Sequence, residues 1–221
     1  MDVHLNMKTN LADIRIEYSS RNLDCKDVAR SPIKQFETWL NQAMEAGALE
    51  STAMNLATVN PNGQPSSRIV LLKGIEKDQF IFYTNYTSHK GLDLATQTSA
   101  AINFFWPELE RQVRIEGSIL KVDPSESDGY FESRPYGSKI GAWVSDQSKK
   151  ITSRKELEDK VLEYQQKYPE GSVVPRPSHW GGYALTPNYI EFWQGRPSRL
   201  HDRIVYELDE KGEWEIYRIC P

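Results

Sequence analysis

The sequence predicts an α+β protein built on an antiparallel sheet that closes into a small barrel. Strand-like segments follow one another in hairpin order, turn signals join them, and a few helical segments stand apart from the strands. No glycine-rich dinucleotide fingerprint follows a predicted strand, and the sequence contains no P-loop. The pattern is therefore not that of a doubly wound parallel sheet.

Length and composition are those of an ordinary soluble globular protein. The chain has 221 residues, 38% hydrophobic and 26% charged, and a formal net charge of -4. With this charge we expect neither nucleic acid nor a membrane as partner, so any anion site must be a local cluster of Lys and Arg. Cys25 and Cys220 lie too far apart in sequence for a metal or disulfide pattern, and no signal peptide or 18-residue apolar run is present. We therefore expect a cytoplasmic protein without a metal site.

The first 30 residues are polar and mixed, which predicts a mobile N-terminal arm ahead of a single domain at 31–221. Ser31-Pro32 predicts a helix start, because Ser is a good N-cap and Pro fits the first helical turn. Apolar residues then recur at helical spacing as far as Met44, and Gly47 can end the helix.

Strands are predicted next, at Met54–Val59, Ser67–Lys73, 79–84, 100–106 and 112–122, with a short helix near Ser88. Asn60 to Gly63 predicts a hairpin turn. A helical middle follows, where Ser153 and Glu156 fit a capping box. Four tail strands are predicted, at 183–185, 189–193, 203–208 and 214–219, the last two joined by a turn at 209–212.

Two segments place cations beside hydroxyl or aromatic groups where strands are predicted. In residues 68–73 (RIVLLK), alternation puts Arg68, Val70 and Leu72 on one face, and a cation there needs a partner. The alternative is a strand whose charged ends lie in water. Residues 83–90 (YTNYTSHK) end a strand and begin a helix, where backbone N–H groups with Thr84, Ser88 and Lys90 suit a phosphate. The alternative is a capped helix with a solvated lysine.

Two later segments carry the same kinds of residue. Tyr130 and Arg134 are four apart and would share a helix face, which with nearby serines predicts a phosphate clamp or a simple surface stacking pair. Residues 190–203 (IEFWQGRPSRLHDR) set three arginines, one His and one Trp around a Gly-Pro loop. His201 lies between acidic and basic residues, so its charge can be tuned near neutrality. Arg199 and Arg203 could instead pair with Asp202 and Glu191.

The 190–203 segment resembles the C-terminal motif of the pyridoxamine 5'-phosphate oxidase family. The runs RIEY, SSRIVLLK, FYTNYTSHKG, ERQVRIEG, YFESRP, IGAWVSDQS and PSHWGGY also resemble that family, in the family's order. The resemblance covers nearly the whole chain, from Arg15 to the closing RICP. It implies an antiparallel split β-barrel with flanking helices, binding FMN in clefts at a two-fold homodimer interface.

The resemblance also implies the site residues. The implied FMN-binding residues are Arg68, Ile69, Val70, Leu71, Leu72, Lys73, Tyr83, Thr84, His89, Lys90, Gln112, Gln147, Ser148, Trp193 and Arg203. The implied substrate-binding residues are Arg15, Ile16, Glu17, Tyr18, Lys73, Tyr130, Arg134, Ser138, Arg199, Leu200 and His201. Arg199 and His201 are expected at the reacting end. This chain has His89 where the family usually has Arg, so one phosphate contact is expected to be weaker or pH-dependent.

The implied reaction oxidises pyridoxamine 5'-phosphate and pyridoxine 5'-phosphate to pyridoxal 5'-phosphate. A hydride equivalent passes from the substrate C4' to flavin N5, and O2 reoxidises the flavin to give hydrogen peroxide; the amine also releases ammonia. Two alternatives stay open. The same fold could serve another substrate, as in flavin reductases, or the protein could be a carrier of FMN or pyridoxal phosphate.

Overall fold

The computed structural model describes residue 18 and residues 21–221. Arg15, Ile16 and Glu17 lie outside these residues, as does most of the predicted arm. The helices are α1 Pro32–Glu45, α2 His89–Thr96, α3 Pro124–Ser133, α4 Tyr136–Val144 and α5 Arg154–Lys167. The strands are β1 Ala53–Val59, β2 Pro65–Leu71, β3 Gly74–Glu76, β4 Gln79–Asn85, β5 Ser99–Trp106, β6 Arg111–Lys121, β7 Trp180–Gln194, β8 Asp202–Leu208 and β9 Trp214–Arg218.

Within the described part of the chain, the nine strands form one antiparallel sheet in the order β2-β1-β5-β6-β7-β4-β3, with β8 and β9 continuing outward from β7. The two ends of this path, β2 and β3, are consecutive in the chain. At the bend between them, Leu72 N–H donates to Thr52 O at 2.9 Å and Lys73 N–H donates to Ile81 O at 2.8 Å. One bent segment thus joins both edges, and the predicted α+β split barrel is confirmed.

Helix α1 packs against the main core, as its apolar spacing predicts. The Ser31 Oγ accepts the Lys34 N–H at 3.3 Å, so the predicted N-cap is confirmed. The buried Phe36 ring lies edge-on to Phe80 and Phe104, at centroid distances of 5.0 and 4.9 Å. These aromatic contacts fix the helix against the β4 and β5 walls of the barrel.

The tail differs from its prediction at one point. Residues 183–185 and 189–193 were expected to form two strands, but both belong to the single strand β7. Pro187 pairs opposite Gly117, where the β6–β7 register shifts at a bulge. A Cβ on Gly117 would lie 2.0 Å from Thr186 O, so only glycine permits this close approach. The bulge therefore absorbs a proline that otherwise interrupts a strand.

The start of helix α5 differs in one detail from the predicted capping box. Ser153 is the N-cap residue but its side chain makes no cap hydrogen bond. The Glu156 carboxylate instead accepts from the backbone N–H and hydroxyl of Thr152, at 3.2 and 3.1 Å. The predicted capping box is therefore wrong by one residue. The apolar side of α5 packs on a second, smaller core that includes Phe131 and Trp180.

The part of residues 1–30 that the structure describes contacts the barrel. Leu23 is buried in the main core, and the Tyr206 hydroxyl donates to Ala29 O at 2.5 Å. Among the described residues, no helix is long and apolar enough to cross a membrane. The same residues contain no cluster of three or more His, Cys, Asp or Glu side chains suited to a metal ion.

Candidate functional site

A pocket of about 440 Å³ lies between the bend after β2, the start of β7 and helix α4. We call it the main pocket. It is lined by Ile69, Val70, Leu71, Lys73, Tyr83, Thr84, Asn85, Lys90, Tyr130, Arg134, Ser138, Gly141, Ala142, Ser145, Gln147 and Trp180. Three of the four segments singled out in the sequence therefore meet here, together with Gln147.

Lys90 is buried at the first turn of α2, where it holds several polar groups together. Its Nζ donates to Gln147 Oε1 at 2.9 Å and to Thr84 Oγ1 at 3.3 Å. Among the described residues, no carboxylate oxygen lies within 4.0 Å of this Nζ. Burial, followed by the nearby positive charge of Arg68, lowers the pKa of Lys90. A bound anion would compensate this charge.

Arg68 lies close to Lys90 and is not solvated: its side chain is only 19% exposed. Its Nη1 donates to Thr58 Oγ1 at 2.7 Å, and its Nη2 donates to Ser66 Oγ at 2.8 Å. The buried Asp93 carboxylate lies 3.9 Å from Nη2 and accepts from Thr58 Oγ1 at 2.6 Å. The cation on this strand thus has the partner that its burial requires, and the alternative of charged ends lying in water is wrong for Arg68.

The side of the pocket formed by α3 and β7 is a stack of aromatic rings. Tyr83 lies on Tyr130 with ring centroids 3.8 Å apart, and the Trp180 ring runs nearly parallel beside both, 5.6 Å from Tyr83 and 6.2 Å from Tyr130. A Cβ on Gly182 would lie 2.8 Å from the Tyr83 ring, so glycine is needed where this tyrosine crosses β7. The stack gives the pocket a rigid wall.

Arg134 extends from this wall into the pocket. Its guanidinium carbon lies 4.4 Å from the Trp180 ring centroid. Its Nη1 is buried and makes no hydrogen bond among the described residues. Burial lowers the pKa of Arg134. Helix α3 ends at Ser133, so the prediction that Arg134 shares a helix face with Tyr130 is wrong in detail, although both reach the same pocket.

The loop after α4 closes the site against the start of α2. The Ser148 Oγ accepts the His89 N–H at 3.2 Å, which links the 83–90 segment to 147–148. Ser148 has φ of 73°, a left-handed backbone that is strained for a serine. The His89 ring is 60% exposed, with Nε2 3.8 Å from Asp93 Oδ1.

A second group of predicted residues lies where β6, β7 and β8 are in register. Gln112 and Arg203 both pair with Trp193, so the three side chains lie on one face of the sheet. The Arg203 Nε and Nη2 donate to the two carboxylate oxygens of Glu191 at 2.7 and 2.9 Å. These bonds raise the pKa of Arg203. Glu191 is 1% exposed and also accepts from Arg114 Nη1 at 3.0 Å.

The loop of the 190–203 segment adds His201 to this group. Its ring lies 4.5 Å from Trp193 and 6.0 Å from Tyr18, centroid to centroid, and its Nδ1 accepts the Arg196 N–H at 3.1 Å. Burial, followed by the charge of Arg199, lowers the pKa of His201, so the neutral ring is favoured. Arg199 has φ of 60°, again left-handed, and Leu200 is exposed. Among the described residues, Arg199 makes no ion pair with Asp202. Asp202 instead lies 3.5 Å from Arg196 Nε, and Arg203 pairs with Glu191, as the alternative suggested.

The two groups lie at opposite ends of the same strand. Trp180, in the main pocket, begins β7, and Trp193 lies one residue before its end. At about 3.3 Å per residue, a straight strand would separate them by roughly 40 Å, and curvature shortens this only in part. This separation favours contact of one small ligand with only one of the two groups in a given protomer.

Some residues were placed differently or missed. The Leu72 side chain is buried in the main core, not in the pocket. Trp180, Asn85 and Asp93 contribute to the site but were not predicted. Asp93 had a detectable signal, because it lies four residues after His89 on one helix face. For Trp180, the sequence offered only one weak signal, an aromatic residue placed directly before two glycines.

The fold and the pocket define a class: a split-barrel protein that holds uncompensated cations in a pocket with an aromatic wall. Two family models match this chain. "Pyridoxamine 5'-phosphate oxidase" matches residues 40–168, and "Pyridoxine 5'-phosphate oxidase C-terminal dimerisation region" matches residues 180–221. The chain belongs to the pyridoxine/pyridoxamine 5'-phosphate oxidase family.

Named relatives are similar to this chain over nearly its full length. The pyridoxine/pyridoxamine 5'-phosphate oxidase of Cytophaga hutchinsonii is 71% identical, covering 97% of this chain and all of the relative. That of Chromobacterium violaceum is 54% identical with the same coverage. Among solved structures, PhzG from Burkholderia lata in complex with tetrahydrophenazine-1-carboxylic acid is 30% identical with a TM-score of 0.85, covering 92% of this chain and all of that one. An FMN binding protein from Nostoc punctiforme, 19% identical over 88% of this chain and all of its own, with a TM-score of 0.68, shares the fold.

Proposed function

We propose that this protein is an FMN-dependent oxidase that converts pyridoxamine 5'-phosphate and pyridoxine 5'-phosphate to pyridoxal 5'-phosphate in vitamin B6 metabolism. Molecular oxygen is the electron acceptor, giving hydrogen peroxide and, from the amine, ammonia. The relatives over nearly the whole chain carry this substrate pair in their names. The single observation that carries the proposal is the buried Nη1 of Arg134 in the main pocket, which makes no hydrogen bond among the described residues; a cationic donor of this kind needs an acceptor, and a phosphate oxygen supplies one with matching charge.

The residues fit an FMN phosphate at one end of the pocket. Arg68 and Lys90 supply positive charge, while the Ser148 hydroxyl and the start of α2 supply hydrogen-bonding groups. Lys90 is buried without a carboxylate partner among the described residues, and a phosphate bound beside it would compensate its charge. A single terminal phosphate suits FMN, and the sequence has no dinucleotide fingerprint.

A second set fits the substrate phosphate. Lys73, Tyr130, Arg134 and Ser138 line the pocket from four different elements or bends. Arg134 is oriented by the Trp180 ring, which leaves its free N–H groups to grip two phosphate oxygens. This clamp favours a phosphorylated substrate over the substrates of other split-barrel proteins.

We propose a homodimer in which each site takes residues from both protomers. Gln112, Trp193, Arg199, His201 and Arg203 lie at the far end of β7 from the main pocket. A two-fold partner could bring this group over the pocket, consistent with the match of residues 180–221 to a dimerisation region. Interfaces of this obligate kind commonly bury about 2,000 Å² or more.

When bound, the flavin supplies the redox chemistry by accepting a hydride equivalent from the substrate C4' carbon and passing electrons to oxygen. The chain supplies position. The neutral His201 accepts the Arg196 N–H at Nδ1, and its Nε2, which has no hydrogen-bond partner among the described residues, can bond a polar group of the substrate ring. The Arg199 guanidinium orients the substrate beside it, and no protein nucleophile is needed.

Two further assignments complete the proposal. Residues 31–221 form the cofactor-binding unit, with the preceding residues as an arm. A cytoplasmic location is supported by two free thiols, Cys25 and Cys220, since disulfides are rare in reducing compartments.

Oxygen uptake by the purified, FMN-loaded protein tests the proposed function. We expect uptake and hydrogen peroxide with both phosphorylated substrates, and little of either with unphosphorylated pyridoxine. Tight binding of pyridoxal phosphate without any oxygen uptake would instead identify a carrier. Oxidation of a reduced phenazine carboxylate in preference to pyridoxine phosphate would place the chain beside its phenazine-binding structural relative and refute the proposal.

A further inference from the structure

We propose that Asp202 is a positioning residue: its carboxylate ties residues 21–24 to the 190–203 segment, and this tie holds the Tyr18 ring against His201. The inference rests on the proposed function, because it assigns a role to the residue between His201 and Arg203. The Asp202 carboxylate makes its hydrogen bonds and ion pairs with Leu23, Arg196 and Arg218, not with either ring. Asp202 acts by holding the backbone of residues 21–24, which follows Tyr18 in sequence, and the loop that contains Arg196.

Both oxygens of the Asp202 carboxylate are engaged. Oδ2 accepts the Leu23 N–H at 3.0 Å and lies 3.5 Å from Arg196 Nε. Oδ1 accepts from Arg218 Nη1 at 2.6 Å. The side chain is only 17% exposed, so these charge-assisted bonds are partly shielded from water.

The two arginines held by Asp202 also grip the N-terminal segment. Arg218 Nη2 donates to Leu23 O at 2.7 Å, and Arg196 Nη1 donates to Arg21 O at 3.2 Å. Leu23 N–H and O are therefore both bound, one directly by Asp202 and one through Arg218. The result is a closed network between residues far apart in sequence.

Tyr18 lies just ahead of this network, on the face that carries the proposed reacting end. Its ring is 5.7 Å from Trp193 and 6.0 Å from His201, centroid to centroid. A Cβ on Gly195 would lie 2.7 Å from the Tyr18 Cγ, so the loop leaves room for the ring where it passes. The Arg196 N–H that binds His201 belongs to the same loop. Loss of the tie should therefore loosen both Tyr18 and His201.

Limited trypsin cleavage after Arg21 measures the tie without using activity. In the FMN-loaded protein, Asp202→Asn should speed this cleavage about tenfold or more, because charge-assisted bonds that hold the segment closed are lost. Arg218→Gln removes the partner instead of the carboxylate and should also speed cleavage. Asp159→Asn, which makes the same charge change on exposed α5, is the control and should cleave as the parent does. Parent-like cleavage in both Asp202→Asn and Arg218→Gln would overturn the proposal.

Kinetics then test whether the tie acts through Tyr18. Asp202→Asn should lower kcat/KM for pyridoxine phosphate about tenfold while the Kd for FMN stays within about twofold. The double variant Tyr18→Ala/Asp202→Asn should be no worse than the more damaged single variant, since both changes remove one arrangement. The assigned role would be contradicted if the losses of kcat/KM in the two single variants multiplied in the double variant. It would also be contradicted if Asp202→Asn weakened FMN binding as much as it lowered activity. If the parent protein does not oxidise pyridoxine phosphate, the proposed function fails, and the cleavage test still decides whether Asp202 is the tie.

Discussion

The cations of the main pocket and those of the 190–203 segment are held in opposite ways. In the pocket, Lys90 is buried and Arg134 is partly buried; neither has a carboxylate within 4.0 Å among the described residues, and burial lowers the pKa of each. In the segment, Glu191 binds Arg203 through both carboxylate oxygens and raises its pKa. The first arrangement keeps charge available for an anion. The second uses charge to fix geometry.

The difference has an energetic consequence. A buried cation without a countercharge destabilises the folded chain, and a phosphate that binds there relieves the cost. A cation already paired inside the protein gains less from a new anion. We therefore expect substitutions in the pocket to act mainly on the affinity for the substrate phosphate, and substitutions at Arg203 or Glu191 to have a smaller effect, on FMN binding.

The largest effect is expected at Arg134. In Arg134→Ala the substrate loses a charge-assisted bidentate partner, which typically contributes ~1.5–3 kcal/mol. The kcat/KM for pyridoxine phosphate should fall by roughly tenfold to over a hundredfold, mostly through KM. Steady-state oxygen uptake measures it. Arg154→Ala on exposed α5 removes the same charge and should leave kinetics unchanged. If Arg134→Ala keeps its KM, the contrast between free and paired cations does not describe substrate binding.

A smaller effect, on FMN instead of substrate, is expected at Arg203. Arg203→Ala should raise the Kd for FMN by about tenfold, measured by quenching of flavin fluorescence, since one charge-assisted contact is lost. Glu191→Gln keeps the shape but removes the charge that aligns Arg203, so its Kd should rise by less.

Arg199→Ala is the matched comparison for Arg203→Ala. It should impair turnover while FMN still binds, because Arg199 is assigned to substrate. An Arg199→Ala protein that lost FMN, yet turned over normally in excess FMN, would show that the division between the two arginines is wrong.

Local sequence patterns predicted the elements whose structure depends mainly on residues close in sequence. The Ser31-Pro32 helix start and the turns at 60–63 and 209–212 depend on neighbouring residues, and all are confirmed. The single long strand β7 was missed because Pro187 looks like a break. Its accommodation depends on Gly117, 70 positions earlier and on another strand, and no local pattern reveals such a partner.

The candidate site shows the same limit. Residue type and the family motifs indicated which side chains belong together chemically, and the main pocket does collect Tyr83, Lys90 and Arg134. They gave no sign that Trp180 and Trp193 lie at opposite ends of one strand. Nor did they reveal that Asp93 partners Arg68, because that contact crosses from α2 to β2 in three dimensions.

The smallest and most specific effect concerns the pH dependence of His201. Burial first, and then the charge of Arg199, lower the pKa of this imidazole from its ordinary value of 6.5. The neutral ring, whose Nδ1 accepts the Arg196 N–H, is therefore the working form at pH 7. Because a lowered pKa favours the neutral form, kcat/KM should hold at neutral pH and fall only as the pH drops below about 6.5.

Arg199→Gln tests the cause of that shift. Without the guanidinium, protonation of His201 is opposed by one interaction fewer, so its pKa should move upward, toward the ordinary value. Titration of the imidazole Cε1–H signals by NMR follows this directly, with His201→Gln identifying the signal among the four histidines of the chain. The acid limb of kcat/KM in Arg199→Gln should move in the same direction, whatever its absolute rate. A His201 pKa unchanged or lower in Arg199→Gln would mean that Arg199 does not tune the imidazole, and that burial alone sets its charge.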